Sequence, residues 1–95
     1  MFDIRYKGLK LIPSKSAARE LAFHGFTLND CKDILENGYQ PRKRKEGTEE
    51  KWLDYGNKTY NVVIVKSFNY FYDEEVYLVI HFGMFTKKKD IKEEK

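Results

Sequence analysis

His81 is the residue of this sequence whose chemistry is best suited to moving a proton. It follows the strand-like run Val76–Ile80 and comes shortly before the lysines at 87–89. Because histidine titrates near neutral pH, an imidazole here could act as general acid or base on a ribose 2′-hydroxyl or on a leaving oxygen. A ring that packs against neighbouring tyrosines explains the same residue equally well, so a catalytic and a structural role both stay open.

Two clusters of basic residues, at 42–45 and 87–89, could neutralise phosphate groups. Such contacts release condensed counterions and so favour binding at low salt. Acidic residues follow both clusters, however, and ordinary solvated segments are therefore the competing interpretation. The net charge of +3 permits a nucleic-acid partner without requiring one. The candidate phosphate contacts in these clusters are Arg42, Lys43, Arg44 and Lys87.

Aromatic residues are concentrated between the last two predicted strands, where the sequence reads Phe68-Asn69-Tyr70-Phe71-Tyr72. Aromatic side chains next to strands commonly pack on the core, whereas exposed ones stack on bases or contact a partner protein. Tyr70 and Tyr72 are the candidate partner contacts if this segment is exposed.

The sequence predicts no metal site and no cofactor. Neither His24 nor His81 has a second ligand at a spacing that places two groups on one metal. His24 falls at the end of a predicted helix, which favours a structural role. Cys31 is the single cysteine and lies on the apolar side of a predicted helix, so we expect a buried thiol.

Localisation follows from the same composition. A single cysteine favours a reducing compartment, and no apolar run approaches the roughly 18–20 residues that cross a bilayer. The N-terminal residues mix charges into the place where an export signal needs an apolar run. We therefore expect a cytoplasmic protein that does not enter a membrane.

Two short helices are predicted before residue 39. Ser14 is a helix N-cap and Gly25 the matching C-terminal residue of the first helix. The second helix begins at Thr27 with a capping box completed by Asp30, and Gly38 marks its end. In residues 1–13, apolar and polar side chains alternate weakly, which predicts a short strand or an extended arm.

Three strands are predicted after an exposed loop at 39–50, and they form an antiparallel meander over Lys51–Tyr55, Thr59–Lys66 and Glu75–Phe82. In the last strand, strict alternation places Val76, Leu78, Ile80 and Phe82 on one face. We therefore expect a single α+β domain at 1–86, with two N-terminal helices packed on a C-terminal antiparallel sheet of three or four strands. Residues 87–95 are predicted to be a charged, frayed tail.

With these elements in order, the chain resembles a family of small prokaryotic domains of unknown function that is similar to BrnT and, more remotely, to the RelE/ParE toxin superfamily. The resemblance covers about residues 11 to 86. Family members typically carry histidine and arginine where this chain has Ser16 and Glu20. The matching segments are Ser14-Lys15-Ser16-Ala17, Gly25-Phe26-Thr27 followed by Asp30, Ile34-Leu35-Glu36-Asn37-Gly38, and His81-Phe82-Gly83.

The resemblance implies a toxin-like protein that acts on RNA or the ribosome as a metal-independent endoribonuclease and is neutralised by an antitoxin protein. In this hypothesis Arg19 joins the basic run in contacting phosphate, and His81 is the acid or base. The alternative is a non-catalytic module that binds a protein or a nucleic acid, which the missing family histidine favours. Edge strands of a small open sheet could also pair two copies into a homodimer.

Overall fold

The computed structural model describes residues 3–86, and the predicted tail at 87–95, with Lys87, lies outside them. The α+β class is confirmed, but the helices lie between strands instead of preceding the whole sheet. In chain order the elements are β1 (Arg5–Tyr6), β2 (Leu9–Pro13), α1 (Lys15–His24), α2 (Leu28–Asn37), β3 (Thr48–Tyr55), β4 (Lys58–Asn69) and β5 (Glu74–Thr86).

The strands form one mixed sheet in the order β1-β2-β5-β4-β3. The predicted antiparallel meander is confirmed in β3, β4 and β5, whereas β2 joins the sheet in parallel with β5. The prediction of three or four antiparallel strands therefore differs from the structure, since the sheet has five strands and one of its pairings is parallel. The two N-terminal strands are short, and their place in the sheet depends on β5, which comes more than sixty residues later in the chain.

Both helices begin and end where their capping residues predict. Ser14 Oγ accepts a hydrogen bond from the Ala17 amide at 3.1 Å, and Gly25 closes α1 with a φ of 75° that favours glycine. At the start of α2, Asp30 accepts a hydrogen bond from the Thr27 amide at 2.8 Å, and Thr27 Oγ1 accepts one from the Asp30 amide at 3.4 Å. These local hydrogen bonds satisfy amides that have no partner inside the helix.

The predicted exposed loop at 39–50 is wrong at both of its ends. Thr48 already pairs with Val65 at the start of β3, and Tyr39 forms an isolated antiparallel bridge with Trp52. The charged composition of this segment favours a loop locally, but pairing with β4 supplies hydrogen bonds that local composition cannot reveal.

A β-bulge interrupts β5 and overturns the predicted alternation of its faces. Val63 pairs with His81 and Ile64 with Val79, so Ile80 has no partner on β4. An extra residue shifts the parity of every later side chain. Phe82 is consequently 1% exposed on the opposite face from Val76 and Leu78, while Ile80 is 37% exposed.

The helices cover one face of the sheet, as the pattern predicted, and bury the hydrophobic core against it. No helix within residues 3–86 is both long enough and apolar enough to cross a membrane. The buried residues of this core are Tyr6, Leu11, Ala17, Leu21, Cys31, Ile34, Leu35, Val62, Ile64, Tyr77, Val79 and Phe82. The other side of β3, β4 and β5 is called the outer face here, and it carries Glu50, Trp52, Asp54, Thr59, Asn61, Val63, His81, Gly83 and Phe85.

A candidate nucleic-acid interface on the outer face

Cross-strand pairing brings the polar residues of the outer face into two neighbouring rows. One row runs from His81 through Val63 to Glu50, and the next runs from Gly83 through Asn61 to Trp52. Directly paired side chains lie roughly 5 Å apart, so Glu50 is about 10 Å from His81 across the sheet. Residues that are far apart in the chain therefore share one face of the sheet, on which Val63 is 5% and Glu50 6% exposed.

Glu20 on α1 holds the histidine at the free part of the β5 edge. Strand β2 pairs with β5 only as far as Val79, which leaves the edge beyond it without a strand partner in the described chain. Glu20 Oε1 accepts a hydrogen bond from the Phe82 amide at 2.8 Å and lies 3.3 Å from His81 Nδ1. One carboxylate thus satisfies an edge amide and faces one ring nitrogen of a side chain that is 47% exposed.

Gly83 lets the other ring nitrogen lie close to the backbone of β5. A Cβ atom at Gly83 would lie 2.9 Å from His81 Nε2 and 3.1 Å from Asn61 Oδ1. Both side chains therefore approach the Gly83 backbone more closely than a β-carbon would allow, and glycine makes this close approach possible. An imidazole positioned by a carboxylate on one side, with its second nitrogen beside an amide, is an arrangement suited to proton transfer.

Two arginines of the predicted basic run are paired with a buried carboxylate. The Nε atoms of Arg42 and Arg44 lie 3.4 and 3.6 Å from Glu50 Oε1, and Glu50 is 6% exposed. Its second oxygen accepts a hydrogen bond from Trp52 Nε1 at 2.7 Å. A buried carboxylate is costly unless it is compensated, and because Glu50 Oε1 has no hydrogen-bond partner among the described residues, the two ion pairs are its compensation. The cluster of two guanidinium groups and one carboxylate keeps one net positive charge.

Aromatic rings border the same cluster. Trp52 packs edge to face with Phe85 at a centroid distance of 5.4 Å and with Tyr39 at 6.3 Å. Tyr39 is 47% and Phe85 43% exposed. Aromatic rings beside cationic groups are the usual components of a surface that binds single-stranded nucleic acid.

The remaining predicted phosphate contacts are only partly brought together. Lys43 is exposed beside the two paired arginines, and Arg19 is exposed on α1 next to Glu20. Arg19 lines a shallow hollow with Glu20 and Phe23 and so lies at the histidine end of the surface. Lys87 lies outside the described residues, directly after β5 ends at Thr86.

The structure does not bring Tyr70 and Tyr72 near His81. They lie in the turn between β4 and β5, about 25–30 Å along the strand from His81. Tyr70 is 86% exposed, whereas Tyr72 is 47% exposed and carries Lys10 Nζ 3.8 Å above its ring. Packing of this aromatic segment on the core, the competing interpretation, does not occur.

The two residues expected to be structural are placed in the core region. Cys31 is fully buried, and this burial raises the pKa of its thiol to about 12. His24 packs edge to face with Phe82 at 5.7 Å. Among residues 3–86, no group of three or more His, Cys, Asp or Glu side chains could hold a metal ion.

Several residues of the surface were missed by reasoning from the sequence: Glu20, Glu50, Trp52, Asn61 and Gly83. Glu20 was noted only because it stands where related domains carry arginine. Its partner Phe82 is 62 residues away, and no local pattern signals such a contact. Comparisons of the chain with protein-family models, with curated proteins and with solved structures found no match.

Proposed function

We propose that this protein binds single-stranded RNA on the outer face and cleaves it without a metal ion, as a toxin-like endoribonuclease of the cytoplasm. The observation that carries the proposal is the position of His81, a side chain that is 47% exposed and lies between the Glu20 carboxylate and the Asn61 amide. Arg42, Arg44 and Trp52 lie on the same face, about 10 Å away.

The proposed reaction uses the exposed nitrogen of His81. Nε2 takes the proton of a ribose 2′-hydroxyl, and the 2′-oxygen forms a bond to the adjacent phosphorus. The bond between phosphorus and the 5′-oxygen breaks, and the imidazolium returns its proton to that oxygen. The products are a 2′,3′-cyclic phosphate and a free 5′-hydroxyl, and the reaction needs no co-reactant.

The other groups of the surface have separate roles in this proposal. Glu20 is a positioning residue, because it faces Nδ1 and leaves Nε2 for the substrate. The outward sides of the Arg42 and Arg44 guanidinium groups contact phosphates of neighbouring nucleotides. Trp52 and Phe85 provide apolar surface for bases. A toxin of this kind is neutralised by a protein antitoxin that covers the same face.

A non-catalytic binding module is the second candidate function, and one observation favours it. Glu50 already balances one of the two arginine charges, which weakens the electrostatic attraction between this cluster and RNA. Under this alternative the outer face binds RNA or a protein partner, and His81 contributes only surface.

The test compares cleavage of total RNA and of translating ribosomes by wild type and His81→Ala, with chelator present. We expect the substitution to lower the cleavage rate about 100-fold or more, since general acid–base catalysis contributes at least that factor. His24→Gln is the matched histidine control and should cleave as wild type does. Intact RNA with folded wild-type protein would reject the nuclease and leave the binding module.

RNA binding is tested separately with a short fluorescein-labelled single-stranded RNA. Replacing Arg42 and Arg44 together by Ala should weaken binding and flatten its salt dependence, because fewer counterions are released. Lys15→Ala combined with Lys32→Ala removes the same charge from the helices and should change the salt slope much less. Equal slopes for both double variants would reject the outer face as the RNA surface.

A further inference from the structure

A second surface, on the helix side of the sheet, has a chemistry unlike that of the outer face. It is a groove of about 480 Å³ between α2 and the ends of β3 and β4. Its floor is formed by Phe26, Ile34, Leu53 and Tyr60. Tyr55 borders it and is 75% exposed. The groove exists because the paired strands β3 and β4 extend past the place where α2 covers them.

The charge of this groove is opposite to that of the whole chain. The net charge of the protein is +3, yet the charged residues that line the groove in the described structure are Asp30 and Asp33. Asp33 has no ion pair within residues 3–86, and its side chain lies one helical turn from Asp30. An apolar floor with an acidic rim is complementary to an apolar surface flanked by lysine or arginine.

The shape of the groove is suited to a helix. One wall is the row Asp30, Asp33, Ile34 and Asn37, which follows the i, i+3, i+4, i+7 spacing of a single helix face. Helices pack side by side at roughly 8–10 Å, so a third helix beside α2 would extend the helical layer over the uncovered ends of β3 and β4. Its apolar side chains would reach the floor at the same spacing.

We infer that this groove is the docking site for a basic amphipathic helix of a partner protein. The apolar face of that helix covers Leu53 and Tyr60, and its flanking lysine or arginine side chains face Asp30 and Asp33. The site lies on the opposite side of the sheet from His81, so docking does not depend on RNA binding or cleavage.

The test uses the full chain and a synthetic helical peptide with leucine at i, i+3, i+4 and i+7 and lysine on both flanks. Its counterpart carries glutamate in place of each lysine. We expect the lysine peptide to shift the NMR amide signals of Ile34, Leu53 and Tyr60 and to bind at least about tenfold more tightly than the glutamate peptide.

Reversing a single charge shows whether the lysine peptide binds at this groove or is attracted to acidic surface residues in general. Asp33→Lys, an exposed position, should weaken the lysine peptide about tenfold because an attraction becomes a repulsion. Glu75→Lys makes the same charge change on exposed β5 and should leave binding unchanged. Equal affinity for both peptides, equal losses in the two variants, or shifts outside the groove would each overturn the inference. Shifts at these amides that depend on protein concentration without peptide would assign the groove to a second copy and overturn it as well.

Discussion

The two nitrogens of the His81 ring have different surroundings, and this difference decides what the residue can do. Nδ1 lies 3.3 Å from a carboxylate that is itself held by the Phe82 amide. Nε2 lies beside the Asn61 amide and close to the backbone of residue 83, an approach that a β-carbon there would hinder. The same carboxylate also accepts a hydrogen bond from the Phe82 amide, which lies at the sheet edge and would otherwise be free to pair with another strand. Glu20 therefore links protection of the β5 edge to the orientation of the ring.

Under the proposed function, Gly83→Ala should reduce RNA cleavage while leaving the fold intact. The new Cβ would come within 2.9 Å of His81 Nε2 and within 3.1–3.2 Å of the Asn61 amide atoms. Both are ends of side chains that can move aside, so the protein tolerates the methyl group but the His81 ring is displaced. We expect cleavage to fall at least about tenfold, since misplacement by about 1 Å can cost more than that.

Measurement of kcat/KM together with thermal unfolding separates these two effects. Gly38→Ala is the contrasting variant, because its Cβ would meet the backbone carbonyl oxygens of Trp52 and Ile34, which cannot move aside so easily. Gly38→Ala should lower the melting temperature, and Gly83→Ala should hardly change it. Full cleavage by Gly83→Ala would show that the position of the His81 ring over Gly83 has no part in the reaction.

At the scale of elements, α1 and α2 could be predicted because their signals lie within a few residues. Ser14, Gly25, Thr27 and Asp30 make the capping contacts that their types and spacing indicate. The bulge at Ile80 could not be predicted, because it depends on how β5 pairs with β4. The assignment of faces in β5 was therefore wrong beyond Val79.

The residues of the candidate site, too, could be predicted from the sequence only in part. His81, Arg42 and Arg44 were identified from residue type alone. Their partners Glu20 and Glu50 were not, because each pairing joins residues that approach one another only when the sheet has formed. Residue chemistry can thus be read locally, but the geometry that gives it a function is long-range.

Ser14→Ala tests whether α1 depends on its cap. The Ser14 hydroxyl accepts a hydrogen bond from the Ala17 amide. Loss of an N-cap typically lowers the free energy of unfolding by about 1 kcal/mol. Ser16→Ala is the matched control two residues along, where the side chain is exposed and alanine has the better helix propensity. Urea unfolding should show a loss for Ser14→Ala and none for Ser16→Ala. Equal stability of the two variants would contradict the capping role.

At the scale of the whole molecule, the sheet curls until its two ends meet. Strands β1 and β3 lie at opposite ends of the strand order, yet Glu49 on β3 accepts hydrogen bonds from Tyr6 at 3.0 Å and from Lys7 at 2.7 Å. Burial and the neighbouring Glu49 raise the pKa of Tyr6 to about 12, so its hydroxyl stays a donor over the physiological range. One carboxylate therefore joins the ends of the sheet.

The contribution of Glu49 should depend on pH. Burial opposes its ionisation, but the hydrogen bonds from Lys7 and Tyr6 outweigh burial and hold the pKa of Glu49 below its usual 4.5. A carboxyl group whose pKa is lower in the folded state stabilises that state above pH 4.5, and this stabilisation is lost as the pH falls through the folded pKa. At pH 7, Glu49→Gln should therefore lower the free energy of unfolding by about 1 kcal/mol. The loss is no larger because Lys7 is exposed and water weakens its ion pair with Glu49.

Urea unfolding of wild type and Glu49→Gln at neutral and at strongly acidic pH measures this dependence. The difference between the two proteins should shrink on acidification, because the wild-type carboxyl group then becomes neutral like the amide of the variant. Glu46→Gln removes the same charge from the exposed loop and should show little difference at either pH. A difference for Glu49→Gln that persists unchanged in acid would mean that shape, and not charge, joins the ends of the sheet.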